Sequence, residues 1–168
     1  VNLWGFGPTP VAGLEAPPDE AVAAAMARVG MDLLSTRDDA LRRDGDIYLD
    51  LSAVAKGYGV DRLCELVEEA GASNYLVEIG GELRARGQNE RGTAWTIAIE
   101  RPDIGGRAPY TTVALDDEAI ATSGDYRNYF EIDGQRYSHL IDPTTGRPIR
   151  HNLASVTVLA DSAAVADG

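Results

Sequence analysis

Residues 75–86 of this chain read YLVEIGGELRAR, and helical patterning gives way to strands here. The two halves, Tyr75–Ile79 and Glu82–Arg86, are short β-forming runs joined by two glycines. Because such runs follow one another with few crossover helices, the sequence predicts an α+β fold with a largely antiparallel or mixed sheet and flanking helices. The further predicted strands are Trp95–Glu100, Thr111–Leu115, Ala119–Thr122, Tyr129–Ile132, Gln135–Leu140 and Ser155–Leu159.

Helical patterns flank these strands. Cys64 falls on an apolar helical face and is the one cysteine of the chain, so it is predicted to be a buried structural thiol. Asp133-Gly134 predicts a two-residue hairpin turn. The remaining predicted elements are a helix at Asp19–Leu34, a strand at Ile47–Leu51, a helix from a Ser52 cap to about Ala70, and a helix that begins from a cap at Asp161 or Ser162.

The charge of the chain indicates which kinds of ligand it can bind. The chain has 168 residues and a formal net charge of −12, which disfavours nucleic acid and suits a protein that recruits a divalent cation. It contains no run of about 18 apolar residues and no signal-peptide pattern. Because both ends stop inside apolar or helical patterns, we expect the chain to be a fragment of a longer protein.

Lys56 is the one lysine among arginine-rich basic residues, and it stands at a predicted helix start. Gly57 and Gly59 each weaken that helix by about 1 kcal/mol, but they let its backbone approach a ligand. A helix N-terminus with a compact ammonium suits a phosphate. The spacing is neither that of a P-loop nor that of a dinucleotide-binding turn, and close packing of the helix on a strand is the structural alternative.

Polar groups also gather in the strand region. Glu78 or Glu82 would stand beside a ligand near the two glycines, unless the glycines simply form a bend. Residues 121–129 combine hydroxyls, a glycine, charges and aromatic rings, a mixture suited to a nucleotide. His139 can take the proton of a hydroxyl nucleophile, and the proline after Asp142 holds that residue extended. Asp167, taken alone, is typical of a solvated carboxylate.

Taken together, these stretches resemble the FAD:protein FMN transferases, also called ApbE-like flavin transferases. The run SHLIDP at residues 138–143 is the most specific. The resemblance implies one flavin transferase domain over residues 1–168 with that family's T-fold-like architecture, lacking its N-terminal flavin-contacting segment and its C-terminal end. The matching stretches follow the family's order: residues 3–7, 51–61, 78–81, 122–129, 138–148 and 154–168.

The activity that the resemblance implies is covalent flavinylation. Members of the family bind FAD and Mg²⁺, release AMP, and join FMN to a threonine or serine hydroxyl of an acceptor protein. Acceptors include subunits of sodium-pumping quinone reductases and related redox complexes. Members commonly work outside the cytoplasm, in the periplasm or on the outer face of the membrane, often through an N-terminal lipid anchor.

The resemblance also implies roles for single residues. Asp167 and the carbonyl of Ala53 correspond to metal ligands, whereas the family's threonine ligand would lie beyond Gly168. Lys56 would stand near the metal and the phosphates, and His139 would be the base at the acceptor hydroxyl. The residues that correspond to the FAD pocket are Asp61, Glu78, Thr122, Ser123, Gly124 and Asp142.

Two other functions use the same residues. A metal-dependent FAD pyrophosphatase would put water in place of the acceptor hydroxyl, and a flavin-binding module would hold FAD without turnover. A purely structural domain would leave the motifs around Lys56, His139 and Asp142 unexplained.

Overall fold

The computed structural model describes residues 1–8, 15–103, 106, 108–126 and 128–168, so Arg127 of the stretch 121–129 lies outside the described residues. The chain divides into two compact units, each described by itself. Unit 1 comprises Val1–Leu49 and Asp125–Asn152, and unit 2 comprises Asp50–Gly124 and Leu153–Gly168. None of the described helices is long and apolar enough to cross a membrane.

The described elements, in chain order, are short 3-10 turns, helices and strands. The 3-10 turns are Asn2–Trp4 and Met31–Leu33. The helices are α1 Asp19–Met26, α2 Ala55–Glu69 and α3 Ala163–Asp167. The strands are β1 Leu34–Arg37, β2 Ala40–Arg43, β3 Tyr75–Ile79, β4 Glu82–Arg86, β5 Trp95–Glu100, β6 Pro109–Leu115, β7 Ala119–Gly124, β8 Tyr129–Ile132, β9 Gln135–Ser138, β10 Ile141–Asp142, β11 Arg147–Pro148 and β12 Ser155–Ala160.

Unit 1 is built around an aromatic core. Trp4 is buried with Val22 and Phe130, and its indole Nε1 donates to the Gly146 carbonyl at 2.7 Å. Tyr137 stacks on Trp4, with ring centroids 5.6 Å apart. The β8–β9 hairpin turns through Asp133 and Gly134, whose φ angles of 50° and 75° are left-handed and confirm the predicted turn.

Unit 2 is a sheet with helices on one face. Its strand order is β12-β7-β4-β3, and every strand pairing among the described residues is antiparallel. Tyr75 packs with Val60 and Cys64 of α2 and with Ala163 of α3. The next residue, Leu76, packs in a second core with the β5–β6 hairpin, because alternate strand residues point to opposite faces. The α+β fold with antiparallel sheets is therefore confirmed.

Strand β4 also presents charges to the helical layer. Its alternate residues each form an ion pair with α2, and the Arg84–Asp61 pair measures 2.8 Å between nitrogen and oxygen. These ion pairs align strand and helix along most of their length. They are Glu82 with Lys56, Arg84 with Asp61, and Arg86 with Glu68.

Two predicted elements upstream of α2 differ from the structure. The first helix ends at Met26 instead of Leu34. A helix could not continue to Leu34, because Gly30 adopts a non-helical backbone with φ 157° and ψ 142°. The chain then enters the β1–β2 hairpin, which the sequence analysis missed. Its turn residues Asp38 and Asp39 have φ angles of 51° and 59°, a conformation that aspartate tolerates better than most residues.

The predicted strand Ile47–Leu51 is also wrong, since no described residue of it pairs in a sheet. Ser52 is not the helix cap; Val54 precedes α2 instead. The reason is a local turn, in which Asp50 Oδ1 accepts from the Ser52 N–H at 2.9 Å and from its hydroxyl at 2.5 Å. Such side-chain bonds compete with capping. The cap at Ser162 is confirmed, since its Oγ accepts from the Val165 N–H.

Cys64 is expected to resist thiol reagents in the folded protein. It is 1% exposed, and burial raises the pKa of its thiol, so little thiolate is available for reaction. We expect a thiol reagent to label the native protein about 100-fold more slowly than the urea-unfolded protein. Because the chain has one cysteine, the comparison needs no second variant; similar rates in the two states would contradict the burial.

Candidate functional site

The N-terminus of α2 carries a small cluster of charges. The Lys56 ammonium donates to Glu82 Oε1, and it lies 4.0 Å from Asp167 Oδ1. The other oxygen of Asp167 accepts from the Gly57 N–H at 2.9 Å. The structure therefore brings Lys56 together with Asp167, two of the residues that the sequence analysis selected.

The two carboxylates of this cluster are buried and the ammonium is not. Side-chain exposure is 3% for Glu82 and 7% for Asp167, against 46% for Lys56. Within the described residues, Glu82 Oε2 is buried and has no hydrogen-bond partner. Two carboxylates thus face one ammonium, and one carboxylate oxygen is unpaired where most buried polar atoms are bonded. The cluster therefore has an excess of negative charge that a cation would balance.

The donor chemistry at this point fits a hard divalent cation. Mg²⁺ prefers carboxylate and carbonyl oxygens, and Asp167 and the Ala53 carbonyl are of these types. Ala53 lies in the exposed turn before α2. Among the described residues, no group of three or more His, Cys, Asp or Glu side chains could hold a metal by itself. The assignments of Asp167 and the Ala53 carbonyl as metal ligands therefore stay predictions.

Asp61 serves the packing of α3 on α2. Its two carboxylate oxygens accept from the Ala163 and Ala164 N–H groups at 3.0 and 2.9 Å, and Arg84 donates to Oδ1 at 2.8 Å. These N–H groups belong to the first turn of α3, which otherwise lacks intrahelical partners for them. Asp61 therefore caps α3 from another helix, and its predicted contact with FAD stays a prediction.

Replacing Asp61 with asparagine is expected to lower the free energy of unfolding by about 2 kcal/mol, since it disrupts a cap and a charged pair. Urea unfolding measures this loss. The exposed Glu69 at the end of the same helix offers a control, because Glu69→Gln should change stability by no more than about 0.5 kcal/mol. Unchanged stability in Asp61→Asn, combined with weaker FAD binding, would instead make Asp61 a ligand contact.

The remaining predicted pocket residues of unit 2 lie at strand ends. Glu78 Oε1 accepts from the Gly81 N–H at 2.8 Å, so it closes the β3–β4 turn. Thr122 and Ser123 are exposed on β7 and Gly124 is half-buried, and the Thr122 hydroxyl lies 2.9 Å from that of Thr157 on β12. The predicted role of these residues in FAD binding stays a prediction.

His139 lies in unit 1, just after β9. Its backbone N–H donates to the Asn128 carbonyl at 3.1 Å, and its ring Nδ1 lies 3.1 Å from the same oxygen. A carbonyl oxygen only accepts, so Nδ1 must carry the proton in this bond. In the neutral imidazole, Nε2 then has a free lone pair. This tautomer is the one that a general base with Nε2 at the substrate needs.

Asp142, also in unit 1, closes a turn. Its Oδ1 accepts from the Thr144 N–H at 2.8 Å, and its Oδ2 accepts from the Thr145 hydroxyl at 3.1 Å. The backbone hydrogen bond from Thr144 holds the pKa of this carboxyl below its usual value. The residue lines a cleft of about 410 Å³ together with Trp4, Tyr137 and Arg147. Asp142 is thus ionised and at a surface cleft, although both of its oxygens are engaged locally.

The sequence alone does not distinguish Glu82 from Glu78 as a residue of the functional site. The sequence pattern predicts Glu82 beside a ligand only as an alternative to Glu78. The sequence does indicate that Glu82 lies on the same strand face as Arg84 and Arg86, because side chains at every second strand position share a face. Only the structure shows that this face is the one that α2 covers.

Known proteins match the chain over its whole length. The family model described as "ApbE family" matches residues 1–168. A protein of Vibrio cholerae named FAD:protein FMN transferase is 50% identical over 169 residues, covering 100% of this chain and 50% of that protein. One of the same name from Salmonella typhimurium is 47% identical, covering 100% of this chain and 49% of that protein. This chain therefore spans about half the length of these relatives.

Solved structures agree with these matches. The flavin transferase ApbE from Vibrio cholerae superimposes with a TM-score of 0.86 and 46% sequence identity, covering 99% of this chain and 52% of the solved one. The apo form of the flavinyl transferase ApbE from Pseudomonas stutzeri gives a TM-score of 0.85 at 46% identity, covering 99% and 51%.

Proposed function

Because this chain belongs to the ApbE family, we propose that it is part of an enzyme that transfers FMN from FAD to a hydroxyl group of an acceptor protein and releases AMP. The observation that supports this most directly is the match of the whole chain to proteins named FAD:protein FMN transferase, at up to 50% identity.

In the proposed reaction, the threonine or serine oxygen of the acceptor attacks the phosphorus of the FMN phosphate. The bond from that phosphorus to the oxygen of AMP breaks, and AMP leaves with the electron pair. His139 takes the proton of the attacking hydroxyl at Nε2. The 3.1 Å contact between Nδ1 and the Asn128 carbonyl supports this role, because it orients the ring and leaves Nε2 as the acceptor.

The cluster at the start of α2 binds the pyrophosphate in this proposal. Lys56 and the N–H groups of the helix N-terminus hold phosphate oxygens. Asp167 and the Ala53 carbonyl would hold Mg²⁺. When bound, Mg²⁺ neutralises charge on the phosphates as the P–O bond breaks. The buried carboxylate of Asp167 supports a cation here.

The flavin and the nucleotide would contact the predicted pocket residues. In unit 2 these are Glu78 and the β7 segment Thr122–Gly124, whose exposed hydroxyls can bond ribose or phosphate. In unit 1 the ionised Asp142 can accept from ring N–H or ribose hydroxyl groups. The acceptor protein would be a subunit of a redox complex. The enzyme would act outside the cytoplasm, and cell fractionation tests in which compartment it lies.

The experiment uses the extended protein, meaning this chain within a protein of the length of its relatives. It is incubated with FAD, Mg²⁺ and a threonine-containing acceptor peptide, and mass spectrometry detects FMN on the peptide. EDTA and a peptide with alanine in place of threonine serve as controls. FMN on the peptide that both controls abolish is the expected result.

Other outcomes would overturn the transferase proposal. AMP and FMN released without labelled peptide, from several threonine peptides, would make the protein an FAD pyrophosphatase. FAD that binds but is never cleaved would make it a flavin-binding module.

A further inference from the structure

Glu82 is a buried carboxylate that is only half satisfied. The residue is 2% exposed, Oε1 accepts from Lys56, and Oε2 has no partner among the described residues. A carboxylate is costly to bury unless it is paired and hydrogen-bonded. A residue that only filled space here would be better apolar, so its charge calls for a functional explanation.

The Lys56 ammonium has two carboxylates within reach. It contacts Glu82 and lies 4.0 Å from Asp167 Oδ1. Its stem runs beside the β3–β4 turn, where a Cβ added at Gly80 would come within 3.4 Å of Lys56 Cδ. The turn and Glu82 together therefore set the direction of the lysine, while 46% of its side chain stays exposed.

Asp167 cannot serve an ammonium and a metal ion equally well. A lysine that paired closely with Asp167 would compete with a cation for that carboxylate, because both interact with the same negative charge. Within the described residues, Glu82 is the carboxylate that draws the ammonium away from Asp167.

We propose that Glu82 is a positioning residue that holds the Lys56 ammonium off Asp167, which leaves Asp167 for a divalent cation and Lys56 for an anionic ligand. This inference rests on the metal-dependent transfer proposed above. It assigns a role to a buried charge that the reaction itself does not use.

The test is a double-mutant cycle on Mn²⁺ binding by the extended protein. Electron paramagnetic resonance measures the concentration of free Mn²⁺, from which the affinity is obtained. With Lys56 present, Glu82→Gln should weaken Mn²⁺ binding roughly 10- to 100-fold, the range typical of outer-shell partners, because the ammonium moves to Asp167. In a Lys56→Met background, the same Glu82→Gln change should weaken binding by no more than about threefold, since no ammonium remains to compete.

The cycle distinguishes positioning of Lys56 by Glu82 from direct attraction between the Glu82 charge and Mn²⁺. Equal weakening in the two backgrounds would show that Glu82 acts through its own negative charge and would overturn the proposal. Unchanged Mn²⁺ affinity in Glu82→Gln, or in Asp167→Asn, would overturn it as well. Lys56→Met alone should bind Mn²⁺ more tightly than the wild type.

Glu82→Asp gives a second variant if Glu82→Gln does not fold. It keeps the charge but shortens the reach, so an intermediate weakening is expected, whereas wild-type affinity would contradict positioning. FMN transfer by the wild-type protein is measured separately. Absent transfer together with the expected cycle would reject the proposed function alone, and normal transfer with a failed cycle would reject only the role of Glu82.

Discussion

Replacing His139 with asparagine should lower the rate of FMN transfer by about 10²- to 10⁴-fold, the usual contribution of a general base. An asparagine side chain can still donate to the Asn128 carbonyl that now accepts from the ring, at 3.1 Å. It has no basic nitrogen at the position of Nε2, so the hydroxyl of the acceptor keeps its proton. The measurement is the initial rate of FMN incorporation into the acceptor peptide at saturating FAD.

The other histidine of the chain provides the matched control. His151 is exposed, and His151→Ala should keep the rate within about twofold. The affinity for FAD, measured by the quenching of FAD fluorescence, should be similar in both variants. The reason is that the proposed base acts on the hydroxyl of the acceptor and not on FAD. A His139→Asn enzyme that transfers FMN at the wild-type rate would remove this residue from the mechanism.

Gly57→Ala should destabilise the folded protein by about 3 kcal/mol, at the upper end of the usual cost of overpacking. A Cβ at this position would lie 2.2 Å from the Ala163 carbonyl oxygen and 2.8 Å from the Ala164 nitrogen. Both atoms belong to the backbone of α3 and cannot rotate away, so the two helices would have to separate. Urea unfolding with circular dichroism measures the change.

Gly59→Ala is the control for this change, two residues along the same helix. A Cβ there would meet only the end of the Ile79 side chain, at 3.1 Å, which can move. Alanine should then gain up to about 1 kcal/mol from its better helix propensity. Equal stabilities of the two variants would contradict the close crossing of α2 and α3.

The strands of unit 2 could be predicted from sequence because their patterning is local. Tyr75–Ile79 and Glu82–Arg86 were predicted with the bounds that the structure has, since a β-forming run bordered by glycines gives a strong indication. The hairpin at residues 34–43 was missed because its strands are almost entirely exposed. Strands without a buried face lack the apolar alternation that would predict them.

The sequence predicts where the site lies better than it predicts which contacts the residues of the site make. The sequence pattern indicates Lys56, whereas Asp167 follows only from the family resemblance, because its own pattern predicts a solvated carboxylate. That last prediction is wrong, since the side chain of Asp167 is 7% exposed and lies beside Lys56. That Asp61 caps α3 depends on a contact between residues 102 apart, which no local spacing reveals. The pairing of Glu82 with Lys56 likewise depends on which face of β4 the helix covers, a tertiary property.

The alternation of the two units along the chain has a consequence for how the protein emerges from the ribosome. Strand β7 pairs with β12, and the partners Thr122 and Thr157 are 35 residues apart. At a translation rate of about 5–20 residues per second, the edge of β7 waits roughly 2–7 s for its neighbour. An unpaired strand edge is a template for wrong pairing during that time. Chaperone binding to the nascent chain should therefore be strongest between the synthesis of β7 and that of β12.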